Sequence, residues 1–192
     1  AAPASVHEQY FKLYTQITEE SSKARLSVST YNSDAIPSVI ENRDADIGFG
    51  FIYRNSPKLL VREIHSTPMA LVERSKSARP ADVVDPRTLD SAKAVLVKGI
   101  ALDNPDSAAF YKSWFGGNMP FHMYVDSPSL LVKTLPEQGW CILPENHARR
   151  LREEPDFHFY ELADTNFTLP LYLFLHKEAE ETLKILVKKY FG

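Results

Sequence analysis

The sequence predicts an α/β protein built from two similar lobes, and three observations carry that prediction. Residues 25–52 read as strand, helix, strand. The same order returns over residues 119–144, where Asp126 and Ser127 stand 94 positions after Asn32 and Ser33. Residues 94–97, Ala-Val-Leu-Val, form a continuous apolar run, as a strand covered on both faces does. Alternating strands and helices of this kind build parallel sheets with helices packed on them.

The elements follow in order. Residues 1–6 are small and apolar and read as a loop or the tail of a strand. Tyr10, Leu13, Tyr14 and Ile17 repeat at helical spacing and predict an amphipathic helix ending near Glu20. Leu26 and Val28 alternate with Arg25, Ser27 and Ser29, the period of a half-buried strand. Asn32 and Ser33 have short side chains suited to accepting backbone N–H bonds at a helix start. Ile36, Val39 and Ile40 then share a helical face, which residues 42–44 close. In the next strand Ile47, Phe49 and Phe51 take one face and Gly48 and Gly50 the other. Those glycines either leave a face open to a ligand or admit a packing helix.

Residues 59–64 and 68–73 read as two further strands, and residues 74–86 as a polar, proline-bearing surface loop. A short helical turn is expected over 88–92. Lys98 and Gly99 end the strand at 94–97, and Asn104 with Pro105 opens a helix running to Gly116 and Gly117. In the second copy of the opening unit, a strand over 121–125 leads to the cap at Asp126 and Ser127. Pro128 starts a helix carrying Leu130, Leu131 and Leu135, and Gly139 precedes the strand 140–143. Pro144 opens a helix to Leu151; strands follow at 157–162 and 169–175. In the last helix Leu183, Leu186, Val187 and Tyr190 share a face. Its acidic residues come early and its lysines late, as the helix dipole favours.

Composition narrows the function. With 192 residues, 44% apolar and 24% charged, the chain is an ordinary globular one with room for one large or two small domains. A formal net charge of -3 and a pI near 6.1 argue against a nucleic-acid-binding surface in this chain. No apolar run approaches the roughly 20 residues that cross a bilayer, so no membrane partner is expected. The single cysteine, Cys141, lies in an apolar run and is expected in the core; the chain reads as cytoplasmic. The six histidines show no metal-ligand spacing, and no glycine-rich phosphate loop or nucleophile elbow occurs. Neither a cofactor nor enzymatic activity is expected.

The order of these elements resembles the effector-binding (regulatory) domain of LysR-type transcriptional regulators. The likeness runs through the helix at 10–18, the cap at Asn32 and Ser33, and the run IENRDADIGFG at 40–50. It continues through Asp126 and Ser127 to Gly139-Trp140-Cys141-Ile142-Leu143-Pro144, then the strand 169–175 and the final helix. Arg43 and Glu137 stand where that family often has glycine, and the loop after Val72 lacks its common His-Pro.

The resemblance implies a type 2 periplasmic-binding-protein fold: two Rossmann-like lobes joined by two crossover strands. Lobe I would hold residues 1–68 and 169–192, lobe II residues 69–168. A small-molecule effector, of the carboxylate class if the turn N–H groups and Lys98 receive it, would lie in the inter-lobe cleft. Asp126 opposes an anion unless it is occupied as a cap. The positions implied to face the effector are Ala4 and Ser5 in the first loop, Asn32, Ser33, Lys98, Gly99, Asp126 and Ser127. The partners implied are a second copy of the chain, as homodimer or homotetramer, and DNA through an N-terminal winged helix-turn-helix domain that this chain lacks. A free-standing solute-binding protein of the same fold is the alternative.

Overall fold

The computed structural model describes residues 1–20, 25–101, 105–116, 121–163, 165–179 and 181–191, without the side chains of Ala4, Ser5, Glu8, Gln9, Glu20, Asp106, Arg152 and Thr182. The chain divides into two compact units, Ala1–His65 with Pro170–Gly192, and Ser66–Leu169. It passes between them twice, each time inside a strand: β2 (Leu59–Arg74) and β8 (Thr168–His176).

In unit 1 the first helix, α1 (Ala4–Glu20), begins six residues earlier than the Tyr10 stripe suggested. Ala4 and Ser5, expected in a loop, therefore lie in its first turn. The expected strand at 25–30 is not formed as a ladder. Thr30 makes one parallel bridge to Ala2, while Leu26 and Val28 are 45% and 49% exposed. Alternation was present, but among the described residues no layer covers Leu26 or Val28. The residues that pair are Ala1 and Ala2. Ala2 donates to Ser29 O and accepts from the Tyr31 N–H, and Ala1 bonds to Ile47 O and the Phe49 N–H. This small parallel arrangement continues through β1 (Ile47–Gly50), which runs antiparallel to β8 from Ile47↔Leu175 to Gly50↔Tyr172.

Helix α2 (Ile36–Glu41) covers one face of β1, and its N-cap is Ala35, with no side-chain cap. The expected capping by Asn32 and Ser33 is thus displaced: they occupy the turn before the helix. Ile36 and Ile40 pack with Leu59 and Phe174 in the core. A Cβ at Gly48 would stand 2.5 Å from Ile36 Cγ2 and 2.9 Å from Ile40 Cγ1. The glycine is there to admit the helix. On the other face Phe49 stacks on Tyr10 of α1 at 5.3 Å and meets Phe191 of the last helix, α7 (Glu181–Phe191), at 5.2 Å.

In unit 2 the second half of β2 pairs antiparallel with both β6 (Trp140–Pro144) and β7 (Phe157–Leu162), and β7 pairs parallel with the short β3 (Val83–Val84). β2 is one strand where two were expected. Ser66, Thr67 and Pro68 break the apolar alternation without ending the extended backbone. β4 (Val95–Val97) lies parallel to β5 (Met123–Val125), and an Ala94↔Trp140 bridge joins β4 to β6. The buried Leu71, Val72, Leu96, Trp140, Cys141, Ile142 and Leu143 fill this core. Cys141 is fully buried, as its apolar surroundings predicted. The helical segments are α3 (Lys98–Ala101), α4 (Pro105–Phe115), α5 (Leu131–Thr134) and α6 (Glu145–Arg150). The expected cap at Asn104 and the closing Gly117 lie outside the described residues.

Candidate functional site

Parallel strands send their connections out at their carboxyl ends, and an open α/β sheet offers its ligand sites there. Each unit can be read by that rule. In unit 1 the pairing of Ala2 with Thr30, and of Ala1 with β1, brings three strand ends together. These are the start of α1, the turn at Asn32 and Ser33, and the segment after Gly50. Asn32 is exposed, and its carbonyl accepts the Ala35 N–H at 3.1 Å. Ser33 is fully buried, and its hydroxyl accepts the Phe51 N–H at 3.3 Å. It fastens the end of β1 to the turn instead of capping α2. Ala4 and Ser5 are placed at this end by backbone; their side chains lie outside the described residues.

In unit 2 the register Val97↔Val125 makes Lys98 and Asp126 leave neighbouring strands at the same level. Lys98 opens α3 and is exposed, and nothing lies within 4 Å of a Cβ built at Gly99. Asp126 is exposed. Ser127 caps a short 3-10 turn, Pro128–Leu130: its hydroxyl accepts the Ser129 N–H at 3.3 Å and shares a 2.8 Å bond with the Ser129 hydroxyl. Here the sequence-read cap is made by Ser127, leaving the Asp126 carboxylate facing water.

The sequence reading did not find the polar groups elsewhere in unit 2. Glu73 is 2% exposed and takes a two-pronged bond from Arg79, at 2.7 Å from Nε and 2.6 Å from Nη2. That bond and the carboxylate's charge raise the Arg79 pKa further. A charged residue closing an apolar strand was the available signal, hidden because its partner lies in a stretch read only as loop. A second feature, a groove of about 690 Å³, is lined by Met69, Glu145, Ala148, Arg149, Tyr160 and Phe167, among others. None of the eight residues expected to face an effector lines this groove or the cavity around Glu73.

Burial shifts the protonation of several ionisable groups. Burial pushes the Cys141 thiol up, away from thiolate formation. Burial, with Arg150 adding to it, lowers His147 to about 4. Burial lowers His65 as well, against the pull of Glu63. It also pushes Tyr10 and Tyr14 up to about 12. Among the described residues no group of three or more His, Cys, Asp or Glu could hold a metal ion, and no helix is long and apolar enough to cross a membrane.

Comparison with known proteins gives the arrangement a family. The regulatory domain of MexT, a transcriptional activator in Pseudomonas aeruginosa, superposes with a TM-score of 0.72 at 11% identity, over 93% of this chain and 88% of that one. CbnR, a LysR family transcriptional regulator, gives 0.74 at 15% identity, over 100% and 66%. The BenM effector-binding domain with its effector benzoate gives 0.71 at 14%, over 100% and 92%. The chain thus spans about two thirds of full-length CbnR. At these identities the likeness is one of fold, the type 2 periplasmic-binding-protein-like fold. Curated protein sequences give no match. Nothing favours the free-standing solute-binding protein that the sequence left as an alternative. A profile of the LysR substrate binding domain matches residues 1–187, and the chain belongs to that family.

Proposed function

We propose that this domain senses a small-molecule effector and passes the binding event to DNA through the oligomer of a LysR-type transcriptional regulator. The observation that carries the reading is the family match over residues 1–187. The reading assigns effector contact to the strand-end turns of each unit: Asn32 and Ser33 in lobe I, and Lys98, Gly99, Asp126 and Ser127 in lobe II. Lobe I holds residues 1–68 and 169–192, and lobe II holds residues 69–168. Ala4 and Ser5 contribute backbone at the start of α1. Ser33 shapes its turn from within; Asn32, Lys98, Asp126 and Ser127 are the groups a ligand meets. The effector class we assign is a carboxylate, received by Lys98 and backbone N–H groups, as the benzoate complex of BenM suggests by analogy.

Binding shifts a conformational equilibrium only by its difference in affinity for the two states. That difference needs a bistable assembly to act on. We assign the chain a homodimer or homotetramer, cytoplasmic and without catalytic activity. α1, with Phe11 69% exposed, and the groove beside α6 are the surfaces offered to the second copy. DNA is reached through a winged helix-turn-helix domain outside this chain.

The test is calorimetry of the purified chain with benzoate and a panel of aliphatic and aromatic carboxylates. Saturable binding by one of them, lost in both Asn32→Trp and Ser127→Trp with cooperative unfolding retained, is the expected result. Unchanged affinity in both variants would remove the site.

A further inference from the structure

Unit 2 carries a polar cavity of about 360 Å³ at the end of its sheet opposite to Lys98 and Asp126. Its lining comes from residues that precede β4 and β6 (Leu89, Asp90, Lys93, Gln138) and from Glu73 with Arg79. The indole of Trp140 closes it and donates to the Asp90 carbonyl at 2.9 Å.

Its charges are already partly matched. Both oxygens of Glu73 are taken by Arg79 Nε and Nη2, so Nη1 is the guanidinium nitrogen outside the pair. Asp90 spends Oδ1 on the Ala92 N–H at 3.0 Å, and Lys93 gives one of its three ammonium hydrogens to Gln138 Oε1 at 2.7 Å. Asp90 is the N-cap of the 3-10 turn Ser91–Lys93, so its carboxylate and the Lys93 ammonium belong to one short segment, and both residues line the cavity. The cavity wall therefore carries a carboxylate, an ammonium and a guanidinium N–H, with a formal charge of zero around the wall. A simple anion meets Asp90, and a simple cation meets Lys93 and Arg79. A small molecule carrying both charges meets complementary groups at each end.

We propose that this cavity is a second ligand site for a free α-amino acid, its carboxylate held by Lys93 and Arg79 Nη1 and its ammonium by Asp90. The volume suits a single amino acid lying against Leu89 and Trp140, at the small end of the range that ligand pockets occupy. The site is separate from the strand-end turns proposed above and stands whether or not those bind an effector.

The experiment follows the Trp140 indole N–H cross-peak in a proton–nitrogen correlation spectrum of the chain during titration with each of the common L-amino acids. The Trp114 indole serves as the reference. At least one amino acid is expected to move the Trp140 signal saturably. Its N-acetyl and amide derivatives are expected to bind at least about tenfold more weakly, a loss of about 1.4 kcal/mol. Asp90→Asn, which keeps an acceptor for the Ala92 N–H, and Lys93→Gln should each weaken binding by a similar factor. Ser127→Trp should leave it unchanged. The proposal is overturned if no amino acid moves the Trp140 signal, or if acetate or succinate binds as well as the amino acid. It is overturned equally if neither charge variant has an effect, or if Ser127→Trp abolishes the shift.

Discussion

Gly48 shows how one missing side chain positions a helix. Its Cβ would overlap Ile36 and Ile40, both fully buried and held in the core with Leu59 and Phe174. Gly48→Ala is expected to cost about 1–3 kcal/mol by overpacking. Gly50→Ala meets nothing closer than 3.5 Å and should cost less than the Gly48 change. Urea unfolding of the two variants measures both, and equal midpoints would contradict the packing argument. His147 gives the residue scale a pH dependence. Its folded-state pKa, about 4, lies below the ordinary histidine value near 6.5, so folding favours the neutral ring. The stabilisation is complete above pH 6.5 and is lost as pH falls from there towards 4. By linkage this amounts to roughly 2–3 kcal/mol between pH 7 and 4.5. Urea midpoints at the two pH values should converge in His147→Gln relative to wild type; an unchanged difference would mean that other groups govern acid lability.

At the scale of elements, the apolar periodicities named most helices and strands because burial imposes them: 94–97, 140–143, 157–162 and the final helix all lie where their patterns put them. Two readings failed for one physical reason. Periodicity reports alternation of side chains, whereas a strand also needs a neighbour to bond to. Leu26 and Val28 alternate correctly, yet among the described residues their segment makes a single bridge, Thr30 to Ala2, and stays without a ladder. β2 shows the reverse: its backbone stays extended through Ser66, Thr67 and Pro68, where the pattern lapses, and β6 and β7 pair with it from Met69 to Arg74. Of the expected site, the cap at Ser127 was legible because a serine before Pro128 has a local role. The burial of Ser33 was not, because its partner Phe51 comes from the far end of β1. The contact that seats α1 and α7 on β1 is aromatic: Tyr10, Phe49 and Phe191 meet within 5.8 Å of one another. Phe191→Ala is expected to cost about 2–4 kcal/mol, and a cycle with Tyr10→Leu should give a coupling of about 0.5–1.5 kcal/mol. Additive effects in chemical unfolding would mean that the rings share a place without sharing energy.

For the whole molecule, charge sets the division of labour. Acidic side chains outnumber basic ones, 25 against 22, giving -3 with histidine neutral. Several of the cations are spent locally: Arg43 on Glu178, Arg79 on Glu73, Arg87 on Asp85 and Arg149 on Glu145. Binding to DNA draws its sequence-independent part from the counterions displaced by unspent Lys and Arg arrayed on one face. With its cations scattered and partly paired, this chain should not displace many. Fluorescence anisotropy with a labelled duplex at physiological salt is therefore expected to show no binding by the isolated chain tighter than the roughly 10⁻⁴ M end of non-specific affinity. Any weak residual binding should have a shallow salt slope, since the slope counts phosphates neutralised. A micromolar complex with a steep slope would reveal a basic surface assembled from distant parts of the chain. It would move DNA contact into the sensing domain itself and undo the assignment of that task to a separate winged helix-turn-helix.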